Sequence, residues 1–69
     1  MKTELAKLLK LKRKKLNITQ AELAAKAGVG LRFLRECEQG KTTLRMDKVN
    51  QVLELFGYEL GPVKMERHE

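Results

Sequence analysis

Three glycines, Gly28, Gly40 and Gly57, each follow directly on a short stretch whose apolar residues recur at helical spacing. Glycine takes the left-handed conformation at a helix end more readily than any other residue. This punctuation therefore restricts the chain to short helices linked by tight turns. Residues 2–16 form the first such stretch. Leu5, Leu8, Leu9 and Leu16 fall on one face at about 100° per residue, with Lys7, Lys10 and Lys14 opposite. Thr3 is placed to cap this helix, and Glu4 suits its first turn. Leu11 lies off the stripe and is expected to be partly exposed.

Asn17-Ile18 is a short connection, after which Thr19-Gln20-Ala21-Glu22 spells a capping box. Leu23, Ala24 and Ala27 then give a narrow apolar face whose small residues permit a close crossing, and Gly28 ends the helix. Only Val29-Gly30 separates it from a third helix over Leu31–Gln39, so the two must cross steeply. Leu34 and Cys37 face inward on that helix, and Gly40 stops it. A fourth helix is expected from near Thr43 through Met46, Val49, Val52, Leu53 and Phe56, stopped by Gly57. Tyr58-Glu59-Leu60 alternates as a strand does, Gly61-Pro62 interrupts it, and Val63-Lys64-Met65 resumes. Proline cannot donate to a ladder, so that strand is an edge or is broken there.

A chain of 69 residues with 42% apolar content has room for one small domain. Cores of this size are marginal and usually need a staple. One Cys and one His exclude an internal disulfide and a metal set drawn from those residues, which leaves oligomerisation. No apolar run exceeds three residues, so neither a membrane span nor a signal-peptide core is expected, and a reducing cytoplasm is the expected compartment. Charge is unevenly placed. Residues 1–16 hold seven basic side chains against one acid, and residues 49–69 hold two against four. Such asymmetry suits a polyanion on one side and a protein neighbour on the other, although a lysine-rich helix face is also simply well solvated.

Gln20, Leu23, Ala24, Ala27, Gly28, Val29, Leu34 and Cys37, with the ending Glu38-Gln39-Gly40-Lys41, stand together in a register that resembles the XRE-type, phage-repressor-like helix-turn-helix regulators. The resemblance covers about residues 8–57. It implies an all-α fold of four helices whose third helix enters the major groove of DNA, a groove roughly 12 Å wide. Arg32 is the candidate base reader, since a guanidinium can bond both acceptors of a guanine edge; the alternative is a solvated or phosphate-bound arginine. Leu31 is set to pack on a thymine methyl, or else to be exposed or part of a dimer contact. Arg35 and Glu36 share the outward side, where Glu36 either accepts from cytosine or pairs with Arg32 or Arg35.

Gly30 stands where relatives carry serine or threonine, which removes a side-chain contact but leaves the helix-terminal amides for an anion. Gln20, Lys41 and Thr42 match phosphate-contacting positions, and Lys12 is the one first-helix lysine given a possible role. Arg13 and Glu38 match an arginine and a glutamate that pair across the domain in relatives, a structural role. Cys37 reads as a small core residue and His68 as solvated. The chain shows no nucleophile–base pair, Gly-rich phosphate loop or paired carboxylates, so neither an enzyme nor a cofactor is expected.

Residues 42–60 resemble the short HipB-type antitoxin regulators. That implies a C-terminal strand paired with its copy in a homodimer, with Tyr58, Leu60 and Val63 at the contact, an inverted-repeat operator, and a HipA-type kinase toxin as partner. The expected organisation is a DNA-binding domain over 1–57, a dimerisation strand over 58–65 and a frayed tail over 66–69. Two other readings stay open: a stand-alone phage-type or metabolic repressor without a toxin, and a protein-interaction adaptor of the same fold.

Overall fold

Each of the described helices is followed, at its cap or within three residues of its last turn, by a residue turned left-handed. The computed structural model describes residues 3–65, which hold α1 (Glu4–Lys15), α2 (Gln20–Ala27), α3 (Leu31–Gln39) and α4 (Met46–Glu54). Gly28, Gly40 and Gly57 have φ of 74°, 87° and 77°, and Asn17 closes α1 with φ 56°. At each stop the left-handed amide and the amide after it bond backwards to two carbonyls of the last turn. Gly40 N–H reaches Cys37 O at 3.2 Å and Lys41 N–H reaches Glu36 O at 3.1 Å, and the other three ends repeat the pattern. Asn17 is not marked as a terminator by the apolar period, yet asparagine is the residue after glycine that best tolerates this conformation.

The helix starts differ from one another. Ala6 N–H donates to Thr3 Oγ1 at 3.1 Å, and the four bases Lys12, Arg13, Lys14 and Lys15 sit in the last turn of α1, complementing its dipole. Thr19 and Glu22 form the full capping box at 3.1 and 2.9 Å, and the Glu22 carboxyl lies below its ordinary range chiefly because it accepts the Thr19 amide. Helix α4 begins at Met46, three residues later than Thr43, and its cap position, Arg45, supplies no side-chain bond. The intervening chain is non-helical because it carries Leu44 down against the core. Phe56 lies just past the end of α4 and Met46 is 67% exposed, so the expected stripe shortens at both ends.

The core consists of Ala6 and Leu9 from α1, Leu23, Ala24 and Ala27 from α2, Leu34 and Cys37 from α3, and Val49, Val52 and Leu53 from α4. Leu5 and Leu8 pack against it half-buried, while Leu16, at the cap of α1 beyond the last full turn, is 56% exposed. Ala6 takes the buried place instead. Leu11 is exposed, as its position off the stripe requires. Gln51 of α4 donates to Ala27 O at 2.9 Å and Gly28 O at 3.2 Å, tying α4 to the carbonyl end of α2. Among the described residues no helix is long and apolar enough to cross a membrane.

The C-terminal strand expected over 58–65 is not formed: the described residues contain helices and no strand. A strand exists only through a ladder, and a single copy of this segment has no partner for one. Its backbone is instead held from α4, where Asn50 Oδ1 accepts the Leu60 amide at 2.7 Å. Leu60 is half-buried against the core, whereas Tyr58 and Val63 remain exposed. The frayed tail and His68 fall outside the described residues.

One buried charge joins three of the elements. Arg13 donates from Nε to Glu38 Oε2 at 2.8 Å and from Nη2 to Oε1 at 3.0 Å, and its Nη1 reaches Ile18 O at 3.1 Å. Gln20 Nε2 adds a bond to Glu38 Oε1 at 3.1 Å. Glu38 is only 1% exposed, and no buried side-chain nitrogen or oxygen among the described residues lacks a partner. Burial alone would push the Glu38 carboxyl up. The bonds from Arg13 and Gln20, with the charges of Arg13 and Lys10, outweigh it and hold the group below the ordinary glutamate range. The bond to Glu38 raises the Arg13 guanidinium in turn.

Removing the carboxylate strands the cation, so Glu38→Ala is expected to cost about 3–5 kcal/mol, a large part of the stability of so small a domain. Chemical denaturation at neutral pH checks this, and a loss under about 1 kcal/mol would mean that the pair contributes no more than a surface one. Because Glu38 is depressed in the folded state, its contribution is present above the unfolded value. That contribution disappears as pH falls through the folded one. Stability should therefore decline on acidification below the ordinary glutamate range, and Glu38→Gln should flatten that part of the profile.

Candidate nucleic-acid interface

Helices α2 and α3 meet across Gly28-Val29-Gly30, and the turn leaves one side of α3 facing outward. Leu34, Cys37 and Glu38 are buried, while Arg32, Arg35 and Gln39 are exposed and Leu31, Phe33 and Glu36 are intermediate. Positions 32, 35, 36 and 39 share one face at helical spacing, opposite the buried set. The result is an exposed helical ridge with two arginines that no ion pair among the described residues engages. Gln39, at the far end of the ridge, is quoted from the sequence only as part of the helix ending and not as a DNA-contact candidate. Its spacing of seven from Arg32 is the signal that finds it.

Gly30 is the cap of α3, in an ordinary extended conformation and without a side-chain bond to the first turn. Nothing lies within 4 Å of where a Cβ would stand, so a side chain is absent there without being excluded by space. The opening amides of α3 are left without that cap, which is the arrangement an anion can occupy.

The remaining candidates are distributed unevenly. Leu31 packs half-buried against the core and is not a fully presented apolar tip. Glu36 is paired, but with Lys41 at 3.0 Å and not with Arg32 or Arg35. Lys41 and Thr42 are both exposed just past the Gly40 turn. Gln20 is drawn inward to Glu38, which uses one of its two amide protons and leaves the second for an outside acceptor. Lys12 lies 5.3 Å from the centre of the Tyr58 ring, so the first-helix lysine marked for DNA is engaged with the C-terminal segment. Lys48 stands similarly over Phe33 at 5.9 Å, a contact that links α4 to the margin of the ridge.

The Cys37 thiol is pushed up to about 11, mainly by burial and then by Glu36 and Glu38, so it is protonated at neutral pH. Among the described residues no three His, Cys, Asp or Glu side chains are grouped to hold a metal.

Residues 9–63 match the helix-turn-helix family model, a stretch that takes in the second half of α1, the whole of α2, α3 and α4, and the turn between α2 and α3. The chain is also 46% identical over 54 residues to the uncharacterized HTH-type transcriptional regulator y4mF of Sinorhizobium fredii (strain NBRC 101917 / NGR234), covering 78% of this chain and 71% of that protein. The short α2–α3 turn, the outward ridge of α3 and the family match agree: this chain belongs to the XRE-type helix-turn-helix family of DNA-binding proteins.

Proposed function

We propose that this protein is a sequence-specific transcriptional repressor that sets α3 in the major groove. The observation that carries the proposal is the division of α3 between a buried side that fixes it and an outward side whose Arg32 and Arg35 have no ion-pair partner among the described residues. Arg32, in the first turn, is assigned to a base edge, and Arg35 to a base or phosphate beside it. Leu31, Gly30 and the α3 amides lie at the entering end, with Gln20, Lys41 and Thr42 along the flanking phosphates. The chemistry asked of these groups is recognition, with no bond made or broken. A gel shift on the DNA upstream of its own gene, at several salt concentrations, tests it. An adaptor that uses the same fold to bind proteins would show no salt-dependent shift.

In its finer form the proposal makes the chain a HipB-like antitoxin that represses its own operon and neutralises a HipA-type kinase. Its support is the resemblance over residues 42–60. Inhibition of a kinase encoded beside the gene tests that part, and a repressor without such a neighbour would stand alone. The second component is a homodimer. Tyr58, Val63 and Met65 are exposed apolar side chains, and Leu5, Leu8, Tyr58, Leu60 and Val63 line an open groove of about 400 Å³. A two-fold contact there would set two α3 helices about 34 Å apart, one turn of DNA, on an inverted-repeat operator.

Arg32→Ala is expected to cost about 1–3 kcal/mol concentrated at one base pair, leaving general binding in place. An unchanged ratio of specific to nonspecific affinity would make Arg32 a phosphate ligand. For the dimer, Val63→Glu is the informative change, because Val63 is 87% exposed in a single copy and its replacement costs the fold little. Sedimentation at micromolar concentration should give a dimer for the natural chain and a monomer for the variant. A natural chain that sediments as a monomer removes the dimer from the proposal.

A further inference from the structure

Glu36 is a carboxylate on the face that α3 turns toward a polyanion, a placement that repels DNA unless something offsets it. What offsets it is Lys41, whose Nζ lies 3.0 Å from Glu36 Oε2. The lysine is brought there by the helix stop: Gly40, at φ 87°, reverses the chain so that Lys41 N–H bonds Glu36 O at 3.1 Å. Its backbone is thus fixed beside Glu36 while its side chain, 46% exposed, can swing. An ion pair this open to water contributes little to stability and is readily exchanged.

Resting on the proposed DNA-binding function, the geometry points to a base-conditional switch: Glu36 accepts from a cytosine amino group in the major groove, and only then does Lys41 leave it for a backbone phosphate. A carboxylate has acceptors and no donors, so guanine N7 and O6 and thymine O4 repel it. Cytosine offers an amino donor at that edge. When it does, the carboxylate gains a new partner and the ammonium is released to a neighbouring phosphate. On other sequences Lys41 stays on Glu36, since leaving would expose an unpaired carboxylate to the DNA field, and the phosphate goes uncontacted. One ion pair therefore couples a base contact to a backbone contact, and Glu36 and Lys41 together determine specificity at one position.

The test uses the full chain and a duplex selected from a random pool, with the base pair facing Glu36 then changed from C·G to T·A. For the natural protein the change should lower affinity about tenfold and reduce the slope of log K against log salt by about 0.9, the value of one phosphate contact. Glu36→Gln should lose the cytosine preference in favour of adenine, with equal slopes on both duplexes. Lys41→Met should keep the cytosine preference and lose the slope difference, a result that a merely structural pair would not give. Equal slopes for the natural protein, or a cytosine preference that survives Glu36→Gln, overturn the switch while DNA binding stands. Failure of the natural protein to bind any duplex in a salt-dependent way overturns the proposed function, and the switch with it.

Discussion

The Glu38 carboxylate is the point on which the rest of the structure depends. It is buried, and it is held by Arg13 of α1 and Gln20 of α2 while belonging to α3. Among the described residues a core of ten buried apolar residues, three of them alanine and one cysteine, is directionless: it favours closeness without fixing how the helices are rotated. A bidentate guanidinium–carboxylate pair has one geometry. It sets the rotation of α3 about its axis, and that rotation decides which residues face outward. Arg13 also bonds Ile18 O in the α1–α2 connection, so the entry to the helix-turn-helix unit is fixed by the same group.

Small side chains make the second constraint. Ala24 and Ala27 let α2 lie close under α3, and Gln51 then closes the end of α2 by capping two of its last carbonyls from α4. A Cβ at Gly28 would meet the Gln51 amide at 3.2 Å and would in any case be strained at φ 74°. The glycine therefore serves the turn, the crossing and the α4 contact at once.

Most of this framework was legible because its causes are local. The capping box at Thr19 and Glu22, the α3 bounds, and the stops at Gly28 and Gly40 depend on residues within five positions of one another. The Arg13–Glu38 contact spans 25 positions and was approached only through family resemblance, since no periodicity joins two such distant charges. What the sequence hid is what tertiary context decides. Thr43 looks like a helix start, but Leu44 needs the core more than the chain needs an earlier first turn. Residues 58–65 alternate as a strand, yet alternation states only a preference and a ladder needs a second strand. Glu36 was open to two arginines on its own helix, and the Gly40 reversal brought a lysine nearer.

On α3, the groups that hold the helix and the groups proposed to read DNA are divided between two faces. Leu34, Cys37 and Glu38 hold α3, and Arg32, Arg35, Glu36 and Gln39 lie on the other side. Substitution on the outer face leaves the buried pair and the core contacts intact, so under the proposed function base preference can change at little cost to stability. Glu36 is the partial exception, because its carbonyl belongs to the helix stop and its carboxylate to the ridge. The backbone bond survives any side chain at 36, whereas the ion pair does not. The stop is therefore insulated from substitution at position 36, and of the described contacts there the charge that Lys41 offsets is the part that varies with the residue chosen.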